Sequence, residues 1–130
     1  MTIGGPRVAQ IVLAAAAKPL TPVTLELAGK SLIIIDPACD IKVAAKRILW
    51  GKVVNAGQTC VAPDYILVPR SFQDTFVQVV EEVYEKFYPD AEKRSTVSES
   101  YSRLVSPQAH ERVAGLMERA KEEIVWRRDG

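Results

Sequence analysis

The sequence predicts an α/β fold, because helical and strand-like patterns alternate along the 130 residues. Short apolar runs such as residues 32–35 have the composition of buried strands in a parallel sheet. Between them lie segments with apolar residues at helical spacing. With 48% hydrophobic and 25% charged residues, the chain also has enough apolar side chains to form a core. We therefore expect a folded α/β chain rather than a disordered one.

The first half of the chain predicts four elements, each with its own boundary signals. Pro6 fits the first turn of a helix, and Pro19 ends it. Two runs of β-branched and apolar residues predict strands. Asp40 is a suitable N-cap for a second helix, which Gly57 ends. The expected elements are a helix at 6–18, strands at 23–27 and 32–35, and a helix at 41–54.

The second half continues the alternation. A strand at 65–68 ends at Pro69, and Ser71 is expected to cap a third helix that has an apolar stripe. The polar segment 88–102 has no clear period and predicts a surface loop. Ser106, followed by Pro107, begins a fourth helix. That helix is expected to continue to residue 120, and residues 124–126 have the composition of a last strand.

Composition and charge narrow the classes of partner. The net charge of +1, from 17 basic and 16 acidic residues, gives no reason to expect nucleic acid or an anionic membrane. The sequence has neither an apolar run of roughly 20 residues nor a secretory signal pattern, so we expect a cytoplasmic location. Two cysteines are too few for a disulfide framework. One histidine and the lack of a CxxC pair predict no metal site.

Cys60 is the first candidate for chemistry. It ends the segment Asn55-Ala56-Gly57-Gln58-Thr59-Cys60. Cysteine attacks a carbonyl as its thiolate, and Gly57 allows a sharp turn that leaves Cys60 at an accessible edge. Taken alone, a free cysteine is more often a small buried apolar residue, and that interpretation stays open at this point.

Glu26 is the second candidate, a carboxylate in the strand-like and mostly apolar segment Val23-Thr24-Leu25-Glu26-Leu27. A carboxylate that apolar neighbours shield from water keeps its proton to a higher pH, which suits a general base near neutrality. The alternative is a strand residue that points into solvent, because alternation places Leu25 and Leu27 on the opposite face.

The segments around both residues resemble two motifs of the aldehyde dehydrogenases. Leu25-Glu26-Leu27-Ala28-Gly29-Lys30-Ser31 resembles the glutamate motif of that family, and residues 55–60 resemble its cysteine motif. Glu26 and Cys60 are 34 residues apart, which also matches the family. Residues 21–24 and 61–65 resemble the class 3, or fatty-aldehyde, branch, and residues 99–104 resemble it less specifically. Residues 4–9 resemble the glycine-containing turn and following helix of the family, also with less specificity.

This resemblance implies roles for individual residues. Cys60 would attack the aldehyde and Glu26 would activate the water that hydrolyses the resulting thioester. The backbone amide of Cys60 would supply one oxyanion donor. The implied cofactor is NAD or NADP. Its expected contacts are Gly4, Gly5, Leu27 and Ala28. Ala28 stands where the family usually has glycine, which reduces the room for a close cofactor approach.

The resemblance also implies that the sequence is an internal fragment of a longer enzyme. Residues 1–30 would be the end of the NAD(P)-binding domain, including the glutamate motif, and residues 31–130 the N-terminal part of the catalytic domain. The family's remaining site residues are not in this sequence, so we expect the isolated chain to be weakly active or inactive. Full-length members are expected to be homodimers that oxidise a small-molecule aldehyde, with long-chain aldehydes among the candidates. Membrane association stays undetermined.

Two other functions stay open. In one alternative, the chain is an inactive remnant or interaction module that associates with a full-length homologue. In the other, it is a thiol protein that uses Cys60 without a dinucleotide. The paired motifs favour the enzyme, the short length favours the interaction module, and only Cys60 itself favours the thiol protein.

Overall fold

A computed structural model describes residues 1–89 and 101–120 of the chain. Strands and helices alternate in this part, which confirms the α/β class. The strands are β1 (Thr2–Ile3), β2 (Leu25–Glu26), β3 (Leu32–Ile34) and β4 (Tyr65–Leu67). The helices are α1 (Pro6–Ala17), α2 (Ile41–Val53), α3 (Gln73–Phe87) and α4 (Pro107–Arg119). Two 3-10 turns, Val54–Gly57 and Arg70–Phe72, precede β4 and α3 respectively.

The four strands form two separate parallel pairs. In the first pair, Thr2 of β1 lies opposite Leu25 of β2. In the second pair, Leu32 of β3 lies opposite Tyr65 of β4, and Ile34 opposite Leu67. Parallel strands need a crossover connection, and α1 and α2 supply the two crossovers. The first pair lies within residues 1–30 and the second within 31–130, but the domain boundary at residue 30 stays a prediction.

The core lies where α2 and α3 pack against each other and against one face of the β3–β4 pair. Its buried members are Ile35, Ala45, Phe76, Val79 and Val83. Ala45 has no exposed surface, since α2 and α3 approach closely at this position. The spacing of Phe76, Val79 and Val83 is the helical stripe that the sequence predicts for α3.

The opposite face of the β3–β4 pair is not covered by any element of the described residues. Ile34 is 72% exposed and Leu32 is 47% exposed. The expectation of a buried strand at 32–35 is therefore confirmed only for one face, which carries Ile33 and Ile35. Alternate side chains of a strand point to opposite faces, so the two sets differ in burial.

Three of the expected helix starts are confirmed. Pro6 occupies the first turn of α1. The Asp40 carboxylate accepts hydrogen bonds from the backbone amides of Lys42 and Val43, both at 3.1 Å, and so caps α2. The Ser106 hydroxyl accepts a hydrogen bond from the Ala109 amide at 3.2 Å and caps α4. These bonds satisfy amides that have no partner within the first helical turn.

Other boundaries differ from the expectation. Ser71 is not an N-cap, because it lies inside the 3-10 turn that the amide of Phe72 closes onto the Pro69 carbonyl at 2.8 Å. Strand β2 is shorter than the expected 23–27, since only Leu25 and Glu26 pair with β1. Strand β1 was not expected at all, because two residues are too few to show a periodic pattern.

Two expectations fall on residues outside the described part of the chain. These are the strand at 124–126 and most of the loop at 88–102. Within the described residues, no helix is both long enough and apolar enough to cross a lipid bilayer.

Candidate active site

The glutamate and cysteine motifs contact each other through their backbones. A Cβ atom on Gly29 would collide with the carbonyl oxygen of Cys60 and would lie 3.3 Å from its carbonyl carbon. Both of these atoms belong to the backbone and cannot rotate away. Position 29 therefore has room only for glycine in this arrangement.

Polar contacts also join the loop after Glu26 to the loop after Cys60. The Ser31 hydroxyl donates a hydrogen bond to the Cys60 carbonyl at 3.4 Å. The backbone amide of Asp64 donates to the Ser31 carbonyl at 2.9 Å, immediately before β3 and β4 begin to pair. The loop after Glu26 and the loop after Cys60 are thus joined along their length.

An ion pair between Lys30 and Asp64 joins the same two loops. The hydrogen bond with Lys30 lowers the pKa of the Asp64 carboxyl, because it stabilises the charged form. The hydrogen bond with Asp64 raises the pKa of Lys30 for the same reason. The ammonium group of Lys30 also lies 5.9 Å from the centre of the Tyr65 ring, within the range of a cation–π interaction.

Before Cys60, the backbone passes through three consecutive left-handed residues. Asn55, Ala56 and Gly57 have φ values of 52°, 53° and 73°. This turn stops α2 at Val53, one residue earlier than the sequence predicts. Asparagine and glycine adopt this conformation readily, whereas alanine does so at a cost of about 1–2 kcal/mol. Strained backbone of this kind often lies at functional sites.

One cleft collects most of the predicted site residues. Its volume is about 720 Å³, and both catalytic candidates, Glu26 and Cys60, line it. Three of the four expected cofactor contacts are also in the lining: Gly4, Leu27 and Ala28. The fourth, Gly5, is not part of it and instead forms the N-cap of α1. Ala28 does not adopt a positive φ, so alanine at this position causes no backbone strain.

The expected shielding of Glu26 from water is not found among the described residues. Glu26 is exposed, while Leu25 and Leu27 on either side are half-buried. The strand alternation that the sequence shows therefore decides the burial, as the solvent-facing alternative predicted. Its carboxylate is accessible from the cleft.

The expectation that Cys60 lies at an accessible edge is confirmed, because this cysteine is exposed, and the alternative of a small buried apolar residue is wrong. Cys39, the second cysteine, is exposed as well but is not among the residues that line this cleft. Among the described residues, no group of three or more histidine, cysteine, aspartate or glutamate side chains could hold a metal ion.

Sequence reasoning gave no role to four of the residues that line this cleft, Ile3, Gly29, Gln58 and Arg112. Arg112 on α4 lines the cleft that contains Glu26 and Cys60. Gln58 also lines the cleft, and its amide is hydrogen-bonded to the segment before α4. Arg112 has no local signal, since it reaches the cleft only through contacts between distant parts of the chain. Gln58 lies within the cysteine motif, but its hydrogen bonds to residues 103 and 105 have no signal in that motif.

A thiol and a separate carboxylate in one cleft are the groups that a cysteine-dependent enzyme needs for nucleophilic attack and general base catalysis. Comparison with known families identifies the kind of enzyme. The model of the aldehyde dehydrogenase family matches residues 1–126, and the chain belongs to this family.

Its relatives include members of the class 3 branch. The rat protein named "Aldehyde dehydrogenase, dimeric NADP-preferring" is 47% identical over 121 residues, which are 93% of this chain and 26% of the relative. Rat "Aldehyde dehydrogenase family 3 member A2" is 48% identical over 118 residues, 91% of this chain and 24% of the relative. The chain thus spans about a quarter of the length of these relatives.

Solved structures agree with this assignment. The substrate-bound AldH of Staphylococcus aureus superposes with a TM-score of 0.79 at 40% identity, covering 96% of this chain and 27% of that one. Betaine aldehyde dehydrogenase of the same organism, in complex with NAD⁺, gives a TM-score of 0.72 at 26% identity and covers 90% and 23%. The chain therefore has the fold of one part of an aldehyde dehydrogenase.

Proposed function

We propose that the protein containing this chain oxidises an aldehyde to a carboxylic acid with NAD or NADP, using Cys60 as the nucleophile and Glu26 as the general base. The observation that carries the proposal is the contact between Gly29 and the Cys60 carbonyl. It brings two motifs that are 34 residues apart in sequence to one cleft. The family assignment supports the same chemistry.

The cleft lining fits the nicotinamide end of a dinucleotide. Gly4 and Gly29 have no side chain, which allows a flat ring to approach closely, and Ala28 adds one methyl group to the lining. Leu27 adds an apolar contact. We propose Gly4, Leu27 and Ala28 as cofactor contacts, whereas Gly5 lies outside the cleft lining and has weaker support. When bound, the nicotinamide supplies the hydride acceptor of the reaction.

In the proposed chemistry, the Cys60 thiolate adds to the aldehyde carbonyl carbon and forms a thiohemiacetal. The former aldehyde oxygen then carries negative charge. The backbone amide of Cys60 donates a hydrogen bond that stabilises this charge. As the carbonyl re-forms, the hydrogen on that carbon leaves with its electron pair, and a thioester on Cys60 remains. Exposure of the thiol in the cleft gives the aldehyde direct access.

Glu26 acts in the second half of the reaction. Its exposed carboxylate takes a proton from a water molecule in the cleft, and the hydroxide equivalent attacks the thioester carbon. The carbon–sulfur bond breaks, the carboxylic acid leaves and the Cys60 thiolate returns. Because Glu26 is exposed, water reaches its carboxylate directly from solvent, and shielding by apolar neighbours has no part in the proposed step.

The remaining parts of the proposal rest on relatives. A dimeric, NADP-preferring relative supports a homodimer and supports NADP beside NAD, the cofactor in a structural neighbour. A long-chain aldehyde as substrate and a cytoplasmic location stay predictions from the sequence. We also propose that the isolated chain is weakly active or inactive, since it covers about a quarter of its relatives.

The decisive test uses a chimera, because it supplies the parts that the isolated chain does not contain. This chain replaces the matching segment of the rat dimeric NADP-preferring enzyme, and NADH or NADPH formation is measured with a long-chain aldehyde. We expect Cys60→Ala to abolish activity. Glu26→Gln is expected to slow turnover by about 10²–10⁴-fold and to accumulate a thioester on Cys60 that intact-mass spectrometry detects.

Cys39→Ala is the matched control, because Cys39 is also an exposed cysteine but does not line the cleft. It is expected to keep full activity. An active chimera that retains its rate after Cys60→Ala would refute the proposed nucleophile. Fast turnover by the isolated chain would refute the proposal that it is weak alone.

The interaction module remains a second candidate because of the exposed apolar side chains. Ile34 is 72% exposed and its partner on the paired strand, Leu67, is 50% exposed, so the uncovered face of the β3–β4 pair presents neighbouring apolar side chains to solvent. Size-exclusion chromatography of the chain mixed with the full-length rat relative tests this function. Co-elution by an inactive chain would favour it, and separate elution would exclude that association.

A further inference from the structure

The amide of Gln58 connects the turn before Cys60 to a distant segment. Its Nε2 donates hydrogen bonds to the carbonyl oxygens of Asn55 at 2.8 Å and Arg103 at 3.2 Å. Its Oε1 accepts a hydrogen bond from the Val105 amide at 2.9 Å. Both hydrogens of the side-chain amide and its oxygen are therefore used, and two of the three bonds span more than 40 residues of sequence.

These bonds act on the part of the backbone that most needs support. Ala56 is a left-handed residue without the freedom of glycine or asparagine, and such a conformation persists only where the surroundings enforce it. The Asn55 carbonyl receives two hydrogen bonds from Gln58, one from the side chain and one from the backbone amide at 3.1 Å. Gln58, two residues before Cys60, thus fixes the turn at 55–57.

The other side of Cys60 has its own attachment. Gly29 and Ser31 contact the Cys60 carbonyl, and the Asp64 amide bonds to Ser31. These contacts fix the chain after the thiol but not the chain before it. The Gln58 bonds supply the missing restraint, so the two sets together define the direction from which Cys60 enters the cleft.

We propose that Gln58 is a positioning residue for Cys60, which holds the left-handed turn at 55–57 against segment 103–105. The proposal rests on the function proposed above and adds a residue to which that function gives no role. It also explains how Arg112 reaches the cleft. Segment 103–105 leads into α4 through its cap Ser106, so the same bonds place the start of α4 beside the cysteine loop.

The first test measures the bridge itself by residue-resolved amide hydrogen exchange on the 130-residue chain. Gln58→Ala is expected to accelerate exchange at Val105 by about tenfold or more, since the amide loses its acceptor. Exchange at Ile35, whose amide bonds to the Leu67 carbonyl in the core, is expected to stay unchanged. Gln58→Glu keeps an acceptor for Val105 and is expected to preserve its protection. Unchanged exchange at Val105 in Gln58→Ala would overturn the proposal.

The second test measures the positioning of the thiol. Iodoacetamide alkylates both exposed cysteines, and peptide mass spectrometry gives the Cys60 rate divided by the Cys39 rate across a pH series. We expect Gln58→Ala to move this ratio by about threefold or more, towards the ratio in denaturant, and to change its pH profile. Gln78→Ala, a matched change of an exposed glutamine on α3, is expected to leave both unchanged.

A ratio and pH profile that stay at their original values in Gln58→Ala, while Val105 exchange accelerates, would show a bridge that does not position Cys60 and would overturn the proposal. A change in the ratio that appears equally in Gln78→Ala would do the same. Neither measurement needs an aldehyde or a dinucleotide. Failure here is therefore distinguishable from failure of the proposed enzymatic function, which only the chimera assay tests.

Discussion

Gly29, which lines the candidate site, and Ala56, in the left-handed turn before Cys60, are both small residues but have opposite requirements. Gly29 has no room for a Cβ, because the backbone of Cys60 occupies that space. Ala56 carries a Cβ in a conformation that would suit glycine better. The first residue is optimal for the contact between the motifs, while the second is strained and depends on its neighbours.

Gly29→Ala is expected to destabilise the chain, because the added methyl collides with backbone that cannot rotate away. Overpacking of this kind costs about 1–3 kcal/mol in the free energy of unfolding, and the cysteine loop is expected to move. Denaturant unfolding measures the cost. The control is Gly115→Ala in α4, where the nearest atom, at 3.1 Å, belongs to the flexible Arg119 side chain. An equal loss in both variants would contradict the steric explanation.

The left-handed turn shows what residue-level sequence reasoning cannot reach. Gly57 was expected to end α2, and its φ of 73° agrees with that prediction. The two residues before it also leave the helix, although alanine is the best helix former. The cause lies in Gln58 and its bonds to segment 103–105, 45 and 47 residues away. No local pattern carries this information.

At the scale of elements, the Lys30–Asp64 ion pair joins the loops that lead into β3 and β4. The pKa of Asp64 is lowered in the folded chain, so the pair stabilises the fold above the ordinary carboxyl range, and this stabilisation is lost as the pH falls through the folded value. The pKa of Lys30 is raised, so its contribution is present below the ordinary lysine value and is lost as the pH rises through the folded value.

A double-mutant cycle of Lys30→Met and Asp64→Asn is expected to show a coupling in unfolding free energy at neutral pH and low salt. The coupling is expected to vanish when acid protonates Asp64, and to shrink in high salt because both groups are accessible to solvent. Denaturant unfolding over a pH series checks both trends. A coupling that survives at acidic pH would show that the two side chains interact through packing rather than charge.

Element types were predictable from the sequence wherever a cap or a long apolar stripe marks them. Asp40, Ser106 and the stripe of α3 are such signals, and all three are confirmed. Ser71 failed as a cap, since a 3-10 turn begins one residue earlier, at Arg70. A serine before a helix does not show by itself whether the turn has already started.

At the scale of the whole molecule, the sequence predicted the alternation of strands and helices but not the exposure of their faces. Ile34 is apolar and yet exposed, because the described elements cover only one face of the β3–β4 pair. The candidate site, too, was predictable from the sequence only in part. The motifs identified Cys60 and Glu26, which share a cleft, whereas Arg112 and the exclusion of Gly5 depend on how distant segments meet.

The parallel pairing of β3 with β4 also determines which changes in chain length the site can tolerate. Leu32 lies opposite Tyr65, 33 positions later, close to the 34 positions between Glu26 and Cys60. The meeting of the two motifs is thus fixed by the short stretches 27–31 and 61–64, and not by the length of the crossover between the strands. An insertion in the crossover lengthens a loop and lowers the free energy of unfolding by less than about 1 kcal/mol. An insertion next to Cys60 instead shifts this cysteine along the cleft.

Two glycines inserted after Pro37 are therefore expected to leave the protection of the Asp64 amide intact, and the same two inserted after Val61 to abolish it. Amide hydrogen exchange distinguishes these outcomes, and loss of protection in both variants would contradict the expectation. If the expectation is correct, deletions and insertions could accumulate between the two motifs of related proteins without separating Cys60 from Glu26. The spacing between the motifs would then be a weaker mark of common chemistry than the strand pairing that follows them.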